Sequence, residues 1–414
     1  MLVRIHRGAS EIGGNCVELE FGGKRLVLDL GLPLDVGPGE TVDLPAVPGL
    51  GAPADGSLVG VVLSHPHQDH YGLVGGVDPA VPIYVGPAAA RILDAAAFFS
   101  PSGISLTARG FLEDRKPLCV GPFRITPFLV DHSAFDSYAF LVEGGGRRIF
   151  YSGDFRTHGR KASLMRRLCE HPPDNVDVLI LEGTTVRESG NELSGLDEER
   201  VELAMAETFR SSAGLVAVFS AAQNVDRLVS IYRACKRSGR TLVVDLYTAA
   251  IGAATRGTIP QPGFPRLRVY VPNRQRALVK RAREFERVAS IRDQRIFPEE
   301  IRARADQLVV LIQGSTLREL ATADCLDGAT AVWSQWPGYL DRQSGQAIQH
   351  LLKEQGIRLI RLHASGHARV RDLQRLAAAM GPGRVVPIHT AAPQAFNGLV
   401  ERVELHVDGE WWRV

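Results

Sequence analysis

Apolar residues fall in short runs along the first part of the chain, each broken by glycine or a polar turn. Residues 1 to 30 alternate such runs with the pairs Gly13-Gly14 and Gly22-Gly23, and further runs follow at 59–63, 82–85, 123–130, 138–143 and 148–151. Runs this short, bounded by turn residues, predict strands, and helices are expected to be few here. After Val178-Leu179-Ile180-Leu181 the pattern changes. Residues 196–211 carry apolar positions at helical spacing, with Asp197 and Glu198 early and Arg210 late, the charge order a helix dipole favours. A strand is predicted at 215–219, an amphipathic helix at 224–237 stopped near Gly239, and a buried strand at 241–246, together a βαβ unit. The chain is therefore expected to be α/β, β-rich at first and joined to a second α/β domain.

The chemistry-bearing residues sit where these runs end. Ser64-His65-Pro66-His67-Gln68-Asp69-His70 follows the apolar stretch 59–63 and brings three imidazoles and a carboxylate into one loop, a donor set suited to zinc or a similar borderline metal. Asp29 ends the run 25–28, His132 follows 123–129, Asp154 follows 148–150, and His389 closes Val386-Pro387-Ile388. One His or Asp after a strand is ordinary turn chemistry. Several of them, each at the point where a rigid strand gives way to a loop, point to an assembled site.

His65-x-His67-x-Asp69-His70, with Asp29, His132, Asp154 and His389, resembles the signature of the metallo-β-lactamase superfamily. The resemblance implies that His65, His67 and His132 hold one metal and Asp69, His70 and His389 a second. Asp154 would bridge the two and Asp29 would support the site from behind. The cofactors implied are two Zn2+, with Mn2+ as the alternative, sharing a hydroxide that attacks a phosphoester. Within that superfamily Glu182 in Leu181-Glu182-Gly183-Thr184-Thr185 looks like the motif A acid of the β-CASP nucleases. His367 in His363-Ala364-Ser365-Gly366-His367 looks like their motif B histidine, and His389 like motif C. The opening Glu11-Ile12-Gly13-Gly14-Asn15-Cys16 is similar to that of ribonuclease J-like proteins. Fold and function follow as expectations: an αββα metallo-β-lactamase sandwich built from residues 1–190 and 350–414, with an inserted α/β β-CASP domain at 191–349 and the substrate in the cleft between them.

The catalytic residues expected on this basis are Asp69, Glu182 and His367, with His367 giving a proton to the departing oxygen and Glu182 orienting it. His363, Ser365 and Gly366 are expected to bind substrate, the hydroxyl and backbone N–H groups forming a small anion concavity. The reaction expected is hydrolysis of RNA, from an end or internally. A DNA nuclease of the same fold and a small-molecule ester or lactone hydrolase are the alternatives.

Composition permits this. The chain has 414 residues, 45% hydrophobic, with 42 Gly and ordinary charge, enough for two substantial cores. Its N-terminus lacks the apolar segment of a signal peptide and no run of about 18 apolar residues follows, so no membrane partner and a cytoplasmic location are expected. Five separated cysteines suggest buried thiols rather than disulfides or a CxxC site. Net charge is only +2, yet residues 266–306 carry twelve Arg or Lys against six Asp or Glu. Single-stranded RNA is the expected partner, with DNA as the alternative. Arg274, Arg276, Lys280, Arg281 and Arg283 are available to its backbone and Tyr270 or Phe285 to its bases. His389 favours RNA, because DNA-processing relatives tend to lack a histidine there. Thr390-Ala391 after His389, and an end at Val414 without a further C-terminal domain, depart from the bacterial ribonuclease J pattern and leave a homodimer and 5′-exonuclease processivity open.

Overall fold

The apolar runs of the first part become two sheets facing each other. The computed structural model describes residues 1–37, 40–100, 103–188, 195–257 and 259–414, which divide into two compact units: 1–94, 104–194 and 366–414 in unit 1, and 95–103 and 195–365 in unit 2. In unit 1 one sheet runs Trp411–Arg413, Leu2–Arg7, Cys16–Phe21, Lys24–Leu28, Leu58–Val62, Ile83–Val85, Gly110–Phe111. Its pairs are antiparallel up to Lys24–Leu28 and parallel beyond. The other runs Arg384–Ile388, Val178–Glu182, Arg147–Tyr151, Tyr138–Gly144, Phe123–Leu129, Leu118–Val120.

The central strands Leu58–Val62, Tyr138–Gly144 and Val178–Glu182 are buried on both faces over most of their length, which is why they read as unbroken apolar runs and not as alternating ones. Leu26, Leu28 and Val62 of the first sheet join Phe140, Ile149, Tyr151 and Ile180 of the second in one core between the sheets. Their strand neighbours point the other way. Val27 and Val61 pack outward with Ala89 and Leu93 of the helix Pro87–Phe99. Phe150 and Leu179 pack outward with Met165 of the helix Ala162–Glu170 and with Leu373 of the helix Val370–Met380. Helix, sheet, sheet, helix is the αββα sandwich.

The long helix Pro87–Phe99 exceeds the expectation of few helices. Proline tolerates the first turn, and the alanines that follow have high helix propensity. Its first N–H groups, on Ala88 and Ala89, donate to the Asp136 carboxylate at 2.7 and 3.2 Å. Its last residues belong to unit 2, where Phe98 and Phe99 pack against that unit's core.

Unit 2 carries a six-stranded sheet in the order Leu267–Tyr270, Thr241–Asp245, Leu308–Ile312, Val216–Phe219, Thr330–Trp333, Arg358–Arg361, with every pair parallel. The expected helices are observed as Glu198–Ser211 and Val225–Ser238. The side chains of Asp197 and Asn224 cap them, and Gly239 (φ +78°) ends the second in the left-handed conformation. Because Arg358–Arg361 is a strand of this sheet, unit 2 runs on to Ser365. Among the described residues no helix is long and apolar enough to cross a membrane.

Candidate metal centre

Unit 1 gathers the predicted ligands from the ends of its strands. Asp29 follows Lys24–Leu28 at φ +57°, a left-handed geometry that Asp tolerates, and its carboxylate is fully buried. It accepts hydrogen bonds from the Ser64 N–H and hydroxyl and from the Tyr151 hydroxyl, each at 2.7 Å, and lies 2.8 Å from His70 Nδ1. That contact commits Nδ1 and turns Nε2 of His70 towards Asp154 Oδ2, 3.2 Å away. Carboxylate support behind a histidine is how metal-binding imidazoles are usually oriented.

Two groups of donors result. In the first, His67 Nδ1 lies 3.2 Å from His65 Nε2 and 3.1 Å from His132 Nε2, while His132 Nδ1 donates to the Gly366 carbonyl at 2.6 Å. Nitrogens that share one tetrahedral zinc at Zn–N of about 2.0–2.1 Å lie roughly 3.3 Å apart, so this spacing fits an ion. The second group is Asp69, His70, Asp154 and His389. His389, at φ +54° beyond Arg384–Ile388, contacts Asn15 Oδ1 through Nδ1 at 2.9 Å, leaving Nε2 3.8 Å from Asp69 Oδ2. Asp154 lies against both groups: its Oδ2 is 3.7 Å from His65 Nε2 and 3.2 Å from His70 Nε2.

Buried polar atoms here test whether a cation belongs. Both Asp154 oxygens, His70 Nε2 and His389 Nε2 are inaccessible to solvent and make no hydrogen bond of good geometry. Buried groups of this polarity are expensive to leave unsatisfied, and a cation among them satisfies all four. Charge agrees. Burial, with the neighbouring imidazoles, holds His65 and His132 well below the usual histidine range, and burial lowers His67 to about 4. Neutral imidazole is the form that binds metal. Burial opposes charge on Asp154, but His389, His70 and His367 outweigh it and hold the carboxyl well below the usual carboxylate range. For His70 burial is outweighed by Asp154 and Asp29, which raise it, so a proton and a cation compete for its Nε2.

Beside these groups, Glu182 ends Val178–Glu182 and is 1% exposed. Its Oε1 accepts from the Phe155 N–H at 3.0 Å and the Ala368 N–H at 3.4 Å. Its Oε2 accepts from the Thr184 N–H at 3.2 Å and lies 3.3 Å from His367 Nδ1. His367 Nδ1 is also 3.6 Å from Asp154 Oδ2. Burial lowers the basicity of His367, but Glu182 and Asp154 outweigh it and raise its pKa to about 9, which favours the protonated ring.

Three residues that position the donors carried no role in the sequence reading: Asn15 behind His389, and Ser64 and Tyr151 around Asp29. Gly13-Gly14-Asn15 offered a signal for the first. Gly31 is required by the same packing, since a Cβ there would lie 1.7 Å from the Asp69 carbonyl oxygen. Of the segment 363–367, Gly366 and His367 belong to this unit, while His363 and Ser365 belong to unit 2. In the basic stretch, Tyr270 is 4% exposed and its hydroxyl donates to Glu319 at 2.9 Å, so it does not offer a stacking face; Phe285, 60% exposed, does. Tyr270 is buried because it ends the strand Leu267–Tyr270 in the core of unit 2.

Residues 34–222 match a β-lactamase superfamily domain. The chain is 24% identical to the ribonuclease J of Sinorhizobium meliloti over 93% of its own length and 68% of that protein. It is also 24% identical to the ribonuclease J of Pyrococcus abyssi, over 92% and 88%. A solved structure of a protein of unknown function from Enterococcus faecalis V583 shares the fold across 99% of both chains, at 21% identity and a TM-score of 0.78.

Proposed function

We propose, for a chain that is a ribonuclease J-like protein of the metallo-β-lactamase superfamily, that it hydrolyses the phosphodiester bonds of single-stranded RNA at a pair of zinc ions. The observation that carries the reading is the shared position of Asp154 between the His65/His67/His132 group and the Asp69/His70/His389 group, with the Glu182–His367 pair alongside. A lactonase or thioesterase site needs the two groups but has no use for that pair. Unit 1 is read as the metallo-β-lactamase domain and unit 2 as the β-CASP-type insertion.

Two bound divalent cations would supply an activated water and neutralise charge on the phosphate. The chain does the rest. Asp29 and Asn15 hold His70 and His389 through their Nδ1 atoms so that both Nε2 atoms face the centre. The Gly366 carbonyl does the same for His132. His367, held protonated by Glu182 and Asp154, is the proton donor to the departing oxygen. In the basic stretch, Lys280 and Arg281 in the helix Asn273–Ala282 can neutralise backbone phosphates of the strand.

The test is metal-loaded protein on single-stranded RNA and DNA of one sequence, labelled at either end. RNA cleavage that chelation abolishes is expected, with DNA cut more slowly. Equal cleavage of DNA favours the DNA nuclease. No cleavage of either, with hydrolysis of a lactone or thioester, would replace the reading with a small-molecule hydrolase.

A further inference from the structure

Unit 2 has a cavity of its own, of about 470 Å³, at the carboxyl ends of its parallel strands. Its floor is made by Phe219 and Trp333, the last residues of Val216–Phe219 and Thr330–Trp333, and by Gln313, which follows Leu308–Ile312. The chain leaves Phe219 through the helix Val225–Ser238 to the strand Thr241–Asp245 on one side of the sheet order. It leaves the neighbouring Trp333 through the helix Gln343–Glu354 to Arg358–Arg361 on the other side. Adjacent strands whose connections depart in opposite directions open a crevice, and this is where open parallel sheets bind ligands. The volume lies in the range of small-molecule sites.

The lining says which ligand. It holds two arginines, Arg318 and Arg342, and no carboxylate, so its charge calls for an anion. Neither guanidinium has a carboxylate partner among the described residues. Arg342 instead lies over the Tyr339 ring at 4.9 Å, a contact that holds it at the rim while leaving its N–H groups to an incoming group. Gln313 and Gln335 line the same hollow with side-chain amides that are likewise without partners in the described structure. Cations for a phosphate, amides for the edge of a base and an exposed ring, here Tyr339, for its face are the components of nucleotide recognition.

We infer that this cavity binds a phosphorylated nucleoside, either a free nucleotide or one unit of a strand. The phosphate lies on Arg318 and Arg342, and the base lies between the amides and the exposed Tyr339 ring. Only the strand-bound form rests on the nuclease reading above.

The experiment compares the full metal-loaded chain with its Arg318→Ala/Arg342→Ala variant, and with Arg200→Ala/Arg210→Ala as a control of equal charge. Binding of AMP and of inorganic phosphate is measured by calorimetry, and binding of a short phosphorothioate RNA that resists hydrolysis by polarisation. All four arginines are exposed, so the variants keep the parent's melting temperature. Loss of about tenfold or more in AMP affinity, in the cavity variant alone, supports a free-nucleotide site; the same loss for RNA alone supports a strand subsite. Equal affinities in parent and cavity variant overturn the inference, as does an equal loss in the control. Phosphate binding as tight as AMP binding, lost in the cavity variant, also overturns it, since the cavity would then hold only an anion. Protein that binds AMP in this way but cleaves no polymer contradicts the nuclease reading and leaves the cavity as assigned.

Discussion

Replacing Asp69 and His70 together by alanine is expected to lower the rate of RNA cleavage by about 10³ or more and to remove about one equivalent of bound metal. The two side chains are half of the second donor group. Without them His389 Nε2 loses the carboxylate 3.8 Å away and Asp154 Oδ2 the imidazole nitrogen 3.2 Å away. The fold should survive, because Asp29 keeps its three remaining donors from Ser64 and Tyr151 when His70 is gone. Metal content by mass spectrometry, a melting curve and the cleavage rate separate the outcomes. A variant that stays folded and cleaves RNA at the parent rate would remove Asp69 and His70 from the site.

The second large effect concerns the buried pair beside the donors. His367→Ala is expected to slow RNA cleavage by roughly 10²–10⁴, the range for a lost proton donor. Glu182→Gln should approach that loss by another route. Glutamine has one acceptor oxygen where Glu182 serves four donors on two oxygens, so its amide must face an N–H from either the Phe155 and Ala368 side or the Thr184 and His367 side. His367 is then no longer held. Since both changes act on one function, the double variant should be scarcely slower than either single one. Substrate choice distinguishes a proton donor from a structural histidine. A p-nitrophenyl phosphodiester, whose leaving group departs without a proton, should be far less sensitive to His367→Ala than RNA is. Equal losses on both substrates would show that His367 serves the architecture alone.

Much of this site is legible in the sequence because strand ends recur in it. His65, Asp154, Glu182 and His389 each follow an apolar run, and a buried strand is the clearest local signal a sequence gives. What lay beyond reading was whatever depends on contacts between distant segments. Asn15 meets His389 across 374 positions, and Tyr151 reaches Asp29 across 122. Neither partner is marked by any local pattern. Tyr270 failed for a related reason, since a tyrosine among arginines looks like a surface ring until the sheet buries it. The helix Pro87–Phe99 was hidden by the shortness of the strands around it, although Gly86-Pro87 followed by alanines was a fair start signal. In unit 2 the strands and helices near 200–245 are legible from their spacing and caps, but the cavity is not, because it is made by strand order.

The most direct measurement strips the protein of metal, restores Zn2+ stepwise, and follows bound metal and cleavage of single-stranded RNA together. The account predicts no cleavage without metal and a rise that levels off as the second equivalent binds, with the fold intact throughout. Full cleavage by the metal-free chain would contradict it, and so would inactivity on RNA with two equivalents bound.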